Sequence, residues 1–307
     1  MNVPDAATSP SVVGGAASQA GRAIAVAGEA LVDFVLEPGD GTTPHLGGCS
    51  FNAARTLGWL GLPPVFIGRL SRDRYGRALR SALEESGVIL EGVVATDAPT
   101  TFARVDGDGH GATGCRSCME GTSMAGLLPE EARAAMPARV MALHVGGLGT
   151  AVEPQASAIV TLMREAGTET LVLVDPNCRA GVTRARSVFC DRLRDLMCLA
   201  DVVKASEEDF AYLDPDRTPD QTARALAWLG GWVTDGRGRR DLGNFDAVLR
   251  TAEFAALVAA RTCGRAGAEP CEDGRRPSGG GASARREGGC GVALRRVNAS
   301  RGGRRRC

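Results

Sequence analysis

The sequence has 307 residues, 44% of them hydrophobic, and its 36 basic residues balance its 36 acidic residues. A chain of this length can bury one large core, and no apolar run approaches the ~20 residues of a membrane span. The ten cysteines include only one Cys-x-x-Cys pair. This argues against both a disulfide framework and a zinc site, so we expect reduced thiols and a cytoplasmic protein.

Residues 1–22 consist largely of alanine, glycine, serine and valine. They lack the basic start and apolar centre of a signal peptide, so we predict a disordered leader there. The following segment, residues 24–33, is apolar and ends in an acid. It predicts a strand with Asp33 at its end.

A glycine pair, Gly47 and Gly48, precedes a predicted helix that carries Asn52 in its first turn. Two residues without Cβ atoms let the backbone approach a ligand. The Asn52 amide can donate and accept hydrogen bonds at once, which suits a polyhydroxylated ligand. On spacing alone, a tight turn with a helix-capping polar residue explains the segment equally well.

The middle of the chain alternates between strands and helices. Apolar strands are predicted from 65 through the Gly68-Arg69 pair and at 142–147, 171–175, 201–206 and 232–234. Helices are predicted at 77–86, 154–167, 188–199, 207–213 and 222–229. Repeated β-α units predict a doubly wound α/β fold with a mostly parallel sheet. Ligands of such sheets bind at the carboxyl ends of strands, where Asp33, Asp175 and Ser206 are expected.

The order of the motifs resembles that of one enzyme family. The Asp33 strand and the Gly-Gly-x-x-x-Asn helix are followed by a strand with Gly68-Arg69 and by Asp73-x-x-Gly76. This order resembles the PfkB (ribokinase-like) carbohydrate kinases over residues 24–235 and resumes over 241–270. Gly-Gly-x-x-Phe-Asn is similar to the fructokinase-like branch, although Ser50 stands where that branch usually has proline.

The resemblance implies a ribokinase-like domain at residues 23–270 that uses ATP and Mg²⁺ to phosphorylate a sugar hydroxyl. Its sugar would contact Asp33, Gly47, Gly48 and Asn52. Its nucleotide and phosphates would contact Asn177, Arg179, Ser206, Asp209, Thr234 and Gly236. Asp209 replaces a glutamate of the family pattern, and it would act on the metal through water, since magnesium retains much of its hydration shell.

Residues 99–127 would form a small β lid in such a kinase. Residues 100–106, followed by glycines within 107–111, predict a hairpin. In the resembled family this lid closes over the sugar and often forms a dimer contact, which implies a homodimer through the lid. Cysteine and serine replace the family's aromatic residues before Glu120-Gly121-Thr122, so the lid has less surface to bury.

The largest departure from the family pattern follows Gly236. The family's Gly-Ala-Gly-Asp segment supplies an anion hole and the catalytic base, and this tetrapeptide is absent from the sequence. A block of residues is missing between Gly236 and Asp241, so we assign no catalytic residue and expect impaired catalysis. The alternative function is a non-catalytic sugar-binding pseudokinase or a decayed fragment. The first strand lacks a following Gly-x-Gly-x-x-Gly, which argues against a dinucleotide-binding oxidoreductase.

Residues 271–307 carry ten arginines against three acids. This Gly- and Arg-rich segment lacks aromatic residues and periodicity, so we predict a disordered basic tail. The tail is either an unselected extension or a binder of nucleic acid. Isolated arginines without interleaved aromatic side chains argue against nucleic acid as a partner.

Overall fold

A computed structural model describes residues 23–36, 42–105, 112–113, 119–178, 182, 186–216 and 290–294. The strands are β1 Ala23–Ala27, β2 Leu31–Leu36, β3 Thr42–Gly47, β4 Val65–Ser71, β5 Val93–Thr96, β6 Phe102–Val105, β7 Ala112–Thr113, β8 Val140–Gly146, β9 Leu171–Asp175, β10 Val202–Ser206 and β11 Cys290–Leu294. The α-helices are α1 Cys49–Trp59, α2 Arg74–Glu85, α3 Pro129–Ala135, α4 Gln155–Glu165, α5 Arg186–Leu199 and α6 Glu207–Leu213. Each of these helices is too short or too polar to cross a membrane.

The described strands form two sheets. In the main sheet, six parallel strands run in the order β10-β9-β8-β1-β4-β5, and β11 lies antiparallel beside β10. The small sheet has the order β3-β2-β6-β7. The predicted mostly parallel α/β sheet is confirmed. The small sheet includes the antiparallel pair β6 and β7 from the predicted lid segment, together with β2 and β3, which we did not assign to the lid.

Both faces of the main sheet are buried by helices. Val26 of β1 belongs to an apolar cluster with Phe51 of α1, whereas Ala25 and Ala27 belong to a second cluster with Ile159 of α4. All five residues are fully buried. Successive strand residues point to opposite faces, so a strand covered on both sides is apolar throughout.

The strand predicted over residues 24–33 is wrong as a single element. β1 belongs to the main sheet and β2 to the small sheet, and the chain changes sheet at Gly28. Gly28 has a φ of 153°, and a Cβ there would lie 2.0 Å from Ser50 Oγ. Asp33 therefore lies within β2, opposite His45 of β3, and not at a strand end of the main sheet.

The strand β11 corrects part of the prediction for residues 271–307. Its five residues pair with β10 from Val202 to Ser206, so the expectation of a wholly disordered tail is wrong there. Cys-Gly-Val-Ala-Leu is an uncharged stretch among arginines, and the edge of β10 offers unpaired backbone groups to such a strand. The remaining tail, residues 1–22 and the predicted elements at 222–229 and 232–234 lie outside the described residues. The boundaries of the predicted domain stay predictions.

Asp73 caps α2 and fastens that helix to the small sheet. Its Oδ1 accepts hydrogen bonds from the Gly76 N–H at 2.8 Å and the Thr100 hydroxyl at 2.7 Å, and its Oδ2 accepts the Thr100 N–H at 2.8 Å. Burial opposes the charged form, but these bonds and one from Ser71 outweigh it and lower the pKa of Asp73 to about 2. Because Thr100 leads into β6, the cap joins the helix to the lid segment.

We expect Asp73→Ala to lower the free energy of unfolding by about 1–2 kcal/mol, because it removes a helix cap. The pKa of Asp73 lies below its ordinary 3.8, so the stability from its charge is present above about pH 4 and lost as pH falls through about 2. Urea titrations followed by circular dichroism measure the free energy of unfolding of wild type and variant at each pH. Asp97→Ala is the control, since Asp97 forms only an exposed ion pair with Arg72. Equal losses in the two variants would contradict the role of the cap.

Candidate functional site

The carboxyl ends of the central strands meet the N-terminus of α1. Glu29 follows β1, Asp175 ends β9, Lys204 lies in β10 and Cys49 begins α1. The parallel order of the strands places these four side chains along one edge of the sheet, where ligands of such folds bind. We recognised Asp175 in the sequence as a strand-end acid but assigned none of the four a role of its own. The same strand-end rule would have found Glu29 if the break at Gly28 had been foreseen.

Glu29 is enclosed and bridges two elements. It is 1% exposed. Its Oε1 accepts the Cys49 N–H at 2.8 Å and its Oε2 accepts the Gly149 N–H at 3.3 Å. Burial raises the pKa of Glu29 from 4.5 to about 7, the backbone hydrogen bonds oppose this rise, and the nearby charge of Asp175 adds to it. Near neutral pH this carboxyl therefore exists in both protonation states.

The glycine pair packs against two acidic residues. A Cβ on Gly47 would lie 2.3 Å from Asp33 Oδ2, and a Cβ on Gly48 would lie 2.8 Å from the Glu29 carbonyl oxygen. Gly48 also has a φ of 112°, which L side chains rarely adopt. We predicted that the pair allows close approach of a ligand. Within the chain itself, it allows close approach of Asp33 and Glu29.

The structure brings together all four residues that we predicted to bind a sugar. Asp33 lies against Gly47, and the Asn52 N–H donates to the Gly48 carbonyl at 2.9 Å. The Asn52 Oδ1 is buried and accepts no hydrogen bond. Buried polar atoms in proteins nearly always have a partner, so this acceptor is suited to a ligand hydroxyl.

Asp175 is the second enclosed acid of the site. Its Oδ2 accepts hydrogen bonds from Lys204 Nζ at 2.9 Å and from the Cys49 thiol at 3.5 Å, whereas its Oδ1 is buried without a partner. Lys204 is the only lysine in the sequence, and its ammonium offsets the charge of Asp175. Burial lowers the pKa of His144 on β8, although Asp175 opposes that shift, so the ring is neutral near pH 7.

The predicted phosphate-side residues meet at the turn after β9 and the start of α6. Asp209 Oδ1 accepts the Cys178 N–H at 2.6 Å, next to Asn177, which has a positive φ of 42°. Asp209 Oδ2 accepts the N–H of Ser206 at 2.7 Å and its hydroxyl at 2.8 Å. Asp209 thus fixes the N-terminus of α6 against the turn. Arg179, Thr234 and Gly236 lie outside the described residues.

Asp209 does not fit direct binding of Mg²⁺. The residue is 2% exposed, and both carboxylate oxygens already accept hydrogen bonds from the chain. The described part of the chain contains no cluster of three histidine, cysteine or acidic residues that could hold a metal. We therefore derive no step through a metal at this position.

A family model described as pfkB family carbohydrate kinase matches residues 22–236. The chain belongs to this family. A probable fructokinase-4 from Arabidopsis thaliana is 29% identical over 69% of this chain and 68% of its own length. Three curated fructokinase relatives are matched over 62% to 68% of their own lengths, so the chain spans about two thirds of such proteins.

Solved structures of sugar kinases share the fold. The fructokinase from Xylella fastidiosa is 25% identical, with a TM-score of 0.59 over 68% of this chain and 69% of its own. A second structure of that enzyme has bound ATP. An uncharacterized sugar kinase from Pyrococcus horikoshii has a TM-score of 0.63 over 81% of this chain and 95% of its own. At 22% identity, that likeness concerns the fold alone.

We expect Cys49 to resist alkylation. A helix N-terminus ordinarily lowers a thiol pKa, but burial, followed by the charges of Asp175 and Glu29, raises the pKa of Cys49 well above its usual value. Iodoacetamide should label Cys49 at least about tenfold more slowly in folded than in urea-unfolded protein, because one pKa unit changes the thiolate fraction about tenfold. Mass spectrometry of the Cys49 peptide measures both rates.

Two variants test the electrostatic cause of this resistance. Asp175→Asn should speed the labelling of Cys49, since it removes the carboxylate that accepts the thiol hydrogen bond. The surface variant Asp97→Asn should leave the rate unchanged. Fast labelling of folded wild-type protein would show that the surrounding acids do not control this thiol.

Proposed function

We propose that this chain binds a sugar of the fructose class between Asp33 and the first turn of α1, and that the reaction of its fold is ATP-dependent phosphorylation of a sugar hydroxyl. The observation that carries the sugar site is the buried, unpartnered Oδ1 of Asn52 beside the Asp33–Gly47 contact. Membership of the pfkB family and the fructokinase relatives support the substrate class.

ATP is the phosphoryl donor in this proposal. The Xylella fastidiosa fructokinase with bound ATP has the same fold at 25% identity, and the turn at Asn177 and the start of α6 stand at neighbouring strand ends. Arg179, Thr234 and Gly236 would complete the nucleotide side. Mg²⁺ would arrive with the nucleotide and offset phosphate charge, without direct contact to Asp209.

The second candidate is a non-catalytic sugar-binding protein. Phosphoryl transfer needs an aligned hydroxyl, charge stabilisation and a proton acceptor. The sequence lacks the Gly-Ala-Gly-Asp segment that would supply the last two. An anion hole contributes about 10²–10³ in rate and a general base about 10²–10⁴, so we propose severely impaired catalysis. We also propose a cytoplasmic location and a homodimer through the lid segment, residues 99–127. The proposal includes no nucleic acid or membrane partner.

We expect Asp33→Ala to weaken sugar binding by about 1–3 kcal/mol, because sugar hydroxyls lose their acceptor. Calorimetric titrations with fructose and with ribose measure the change. Asp97→Ala removes the same charge from an exposed position and should bind as the wild type does. Equal affinity of Asp33→Ala and wild type would reject Asp33 as a sugar ligand.

We expect negligible ATP-dependent sugar phosphorylation by the chain as its sequence stands. A coupled ADP-release assay with fructose and ribose measures turnover. Insertion of a family-like Gly-Ala-Gly-Asp segment between Gly236 and Asp241 should restore activity. Turnover of ~1–10³ per second by the unmodified chain would contradict the proposed impairment, and fructose binding without turnover would support the non-catalytic candidate.

A further inference from the structure

We propose that Glu29 is a positioning residue for the sugar site, and that its ionised carboxylate holds the N-terminus of α1 to the Gly147–Thr150 turn that follows β8. Sugar affinity then depends on the protonation state of Glu29. This inference rests on the sugar site proposed above, and it adds to that site a residue that does not itself touch the sugar.

The carboxylate joins two segments that are distant in the sequence. One oxygen accepts the Cys49 N–H at the start of α1, and the other accepts the Gly149 N–H in the turn. Gly147 in the turn packs so closely that a Cβ there would lie 2.1 Å from Glu29 Oε1. A larger residue at 147 would displace the carboxylate, so the site is shaped around this one group.

No local side chain replaces Glu29 at the start of α1. Gly48 occupies the N-cap position without a side-chain hydrogen bond, and the first turn contains no acidic residue. The first N–H groups of a helix have no partner within the helix. The partial positive charge there also favours an anion, and Glu29 supplies that anion from outside the helix.

Glu29 is connected to the proposed sugar contacts through the same turn. Its carbonyl oxygen accepts the Phe51 N–H at 3.1 Å, so the main chain and side chain of Glu29 both hold the first turn of α1. Asn52 follows Phe51 in that turn, and Gly47 precedes it in contact with Asp33. A shift at the start of α1 would therefore change the spacing between Asn52 and Asp33.

Protonation of Glu29 weakens its hydrogen bonds to the start of α1 and to the Gly147–Thr150 turn. An ionised carboxylate accepts with both oxygens, whereas protonation turns one oxygen into a hydroxyl, which is a donor and a weaker acceptor. Both backbone N–H groups then lose a charged acceptor, and one of them faces the weaker hydroxyl oxygen. Weakening of one such hydrogen bond should lower the sugar affinity that depends on it about two- to tenfold. Burial raises the pKa of Glu29 to about 7, so the change in its protonation state occurs near neutral pH, where sugar binding can be measured.

The surrounding charges fix the direction of the effect. Among the described residues, Asp175 on β9 opposes ionisation of Glu29, and the Cys49 thiol on α1 lies beside both acids. Lys204 on β10 binds Asp175, and His144 on β8 is neutral when folded because burial lowers its pKa. Burial keeps the Cys49 thiol protonated and the His144 ring neutral, so of these three groups only Glu29 gains charge as pH rises through about 7.

Stability and binding should respond to pH in opposite directions. The folded pKa of Glu29 lies above its ordinary 4.5, so its contribution to stability is present below about pH 4.5 and lost as pH rises through about 7. Sugar affinity should instead increase over that range. A purely structural role would make affinity follow stability. Burial keeps His144 neutral in the folded protein, so any contribution of His144 to stability arises in the unfolded state and cancels in the difference between wild type and Glu29→Gln.

The experiment measures fructose affinity by calorimetry from about pH 5.5 to about pH 8.5, a range that brackets this pKa. Wild type should bind about two- to tenfold more weakly at the acid end. Glu29→Gln, which keeps one acceptor oxygen, should bind weakly with little pH dependence. Glu91→Gln, at an exposed position after α2, should follow the wild type.

Each outcome separates this inference from the proposed function. Fructose binding by wild type with a flat pH profile would overturn the role of Glu29 and leave the sugar site standing. Absence of fructose and ribose binding at every pH would overturn the sugar site and this role with it. Because the wild-type profile needs no substitution, the test holds even if Glu29→Gln fails to fold.

Discussion

The hydrogen bonds from Cys49 N–H and Gly149 N–H to the enclosed carboxylate of Glu29 are the interaction on which the site depends. They fix the start of α1 relative to the end of the main sheet, and they require glycine at 48 and 147 because any Cβ would collide with Glu29. The apolar clusters on both faces of the sheet pack against β1, which Glu29 directly follows. Core packing thus determines the geometry of a polar site.

The site concentrates negative charge in a small volume. Glu29 and Asp175 are both enclosed, and the described residues supply Lys204 Nζ at 2.9 Å from Asp175 as the compensating cation. Asp175 thus has a cation as partner, whereas Glu29 relies on backbone N–H groups and a helix terminus. Backbone hydrogen bonds only partly oppose burial, so the pKa of Glu29 rises to about 7.

The proposed sugar side and the proposed phosphate side of this pfkB family chain are built differently. The proposed sugar side combines the small sheet, which carries Asp33, with α1, which carries Asn52. The phosphate side relies on Asp209, whose oxygens are used to cap α6 and to hold the turn after β9. The sugar side therefore retains a buried acceptor without a partner, Asn52 Oδ1, whereas the Asp209 carboxylate already serves the chain itself.

Sequence periodicity was sufficient to predict the parallel α/β sheet, the strand 171–175 and the helix 207–213, because apolar patterns report burial on one or both faces of an element. The motif order was sufficient to predict that Asp33, Gly47, Gly48 and Asn52 lie close to one another. The change of sheet at Gly28 was not predictable, since residues 24–33 read as one apolar run and the break depends on the contact with Ser50. The roles of Glu29 and Lys204 likewise depend on partners 20 and 29 residues away. Only the tertiary structure decides such contacts, because local sequence does not encode which distant groups a buried charge will meet.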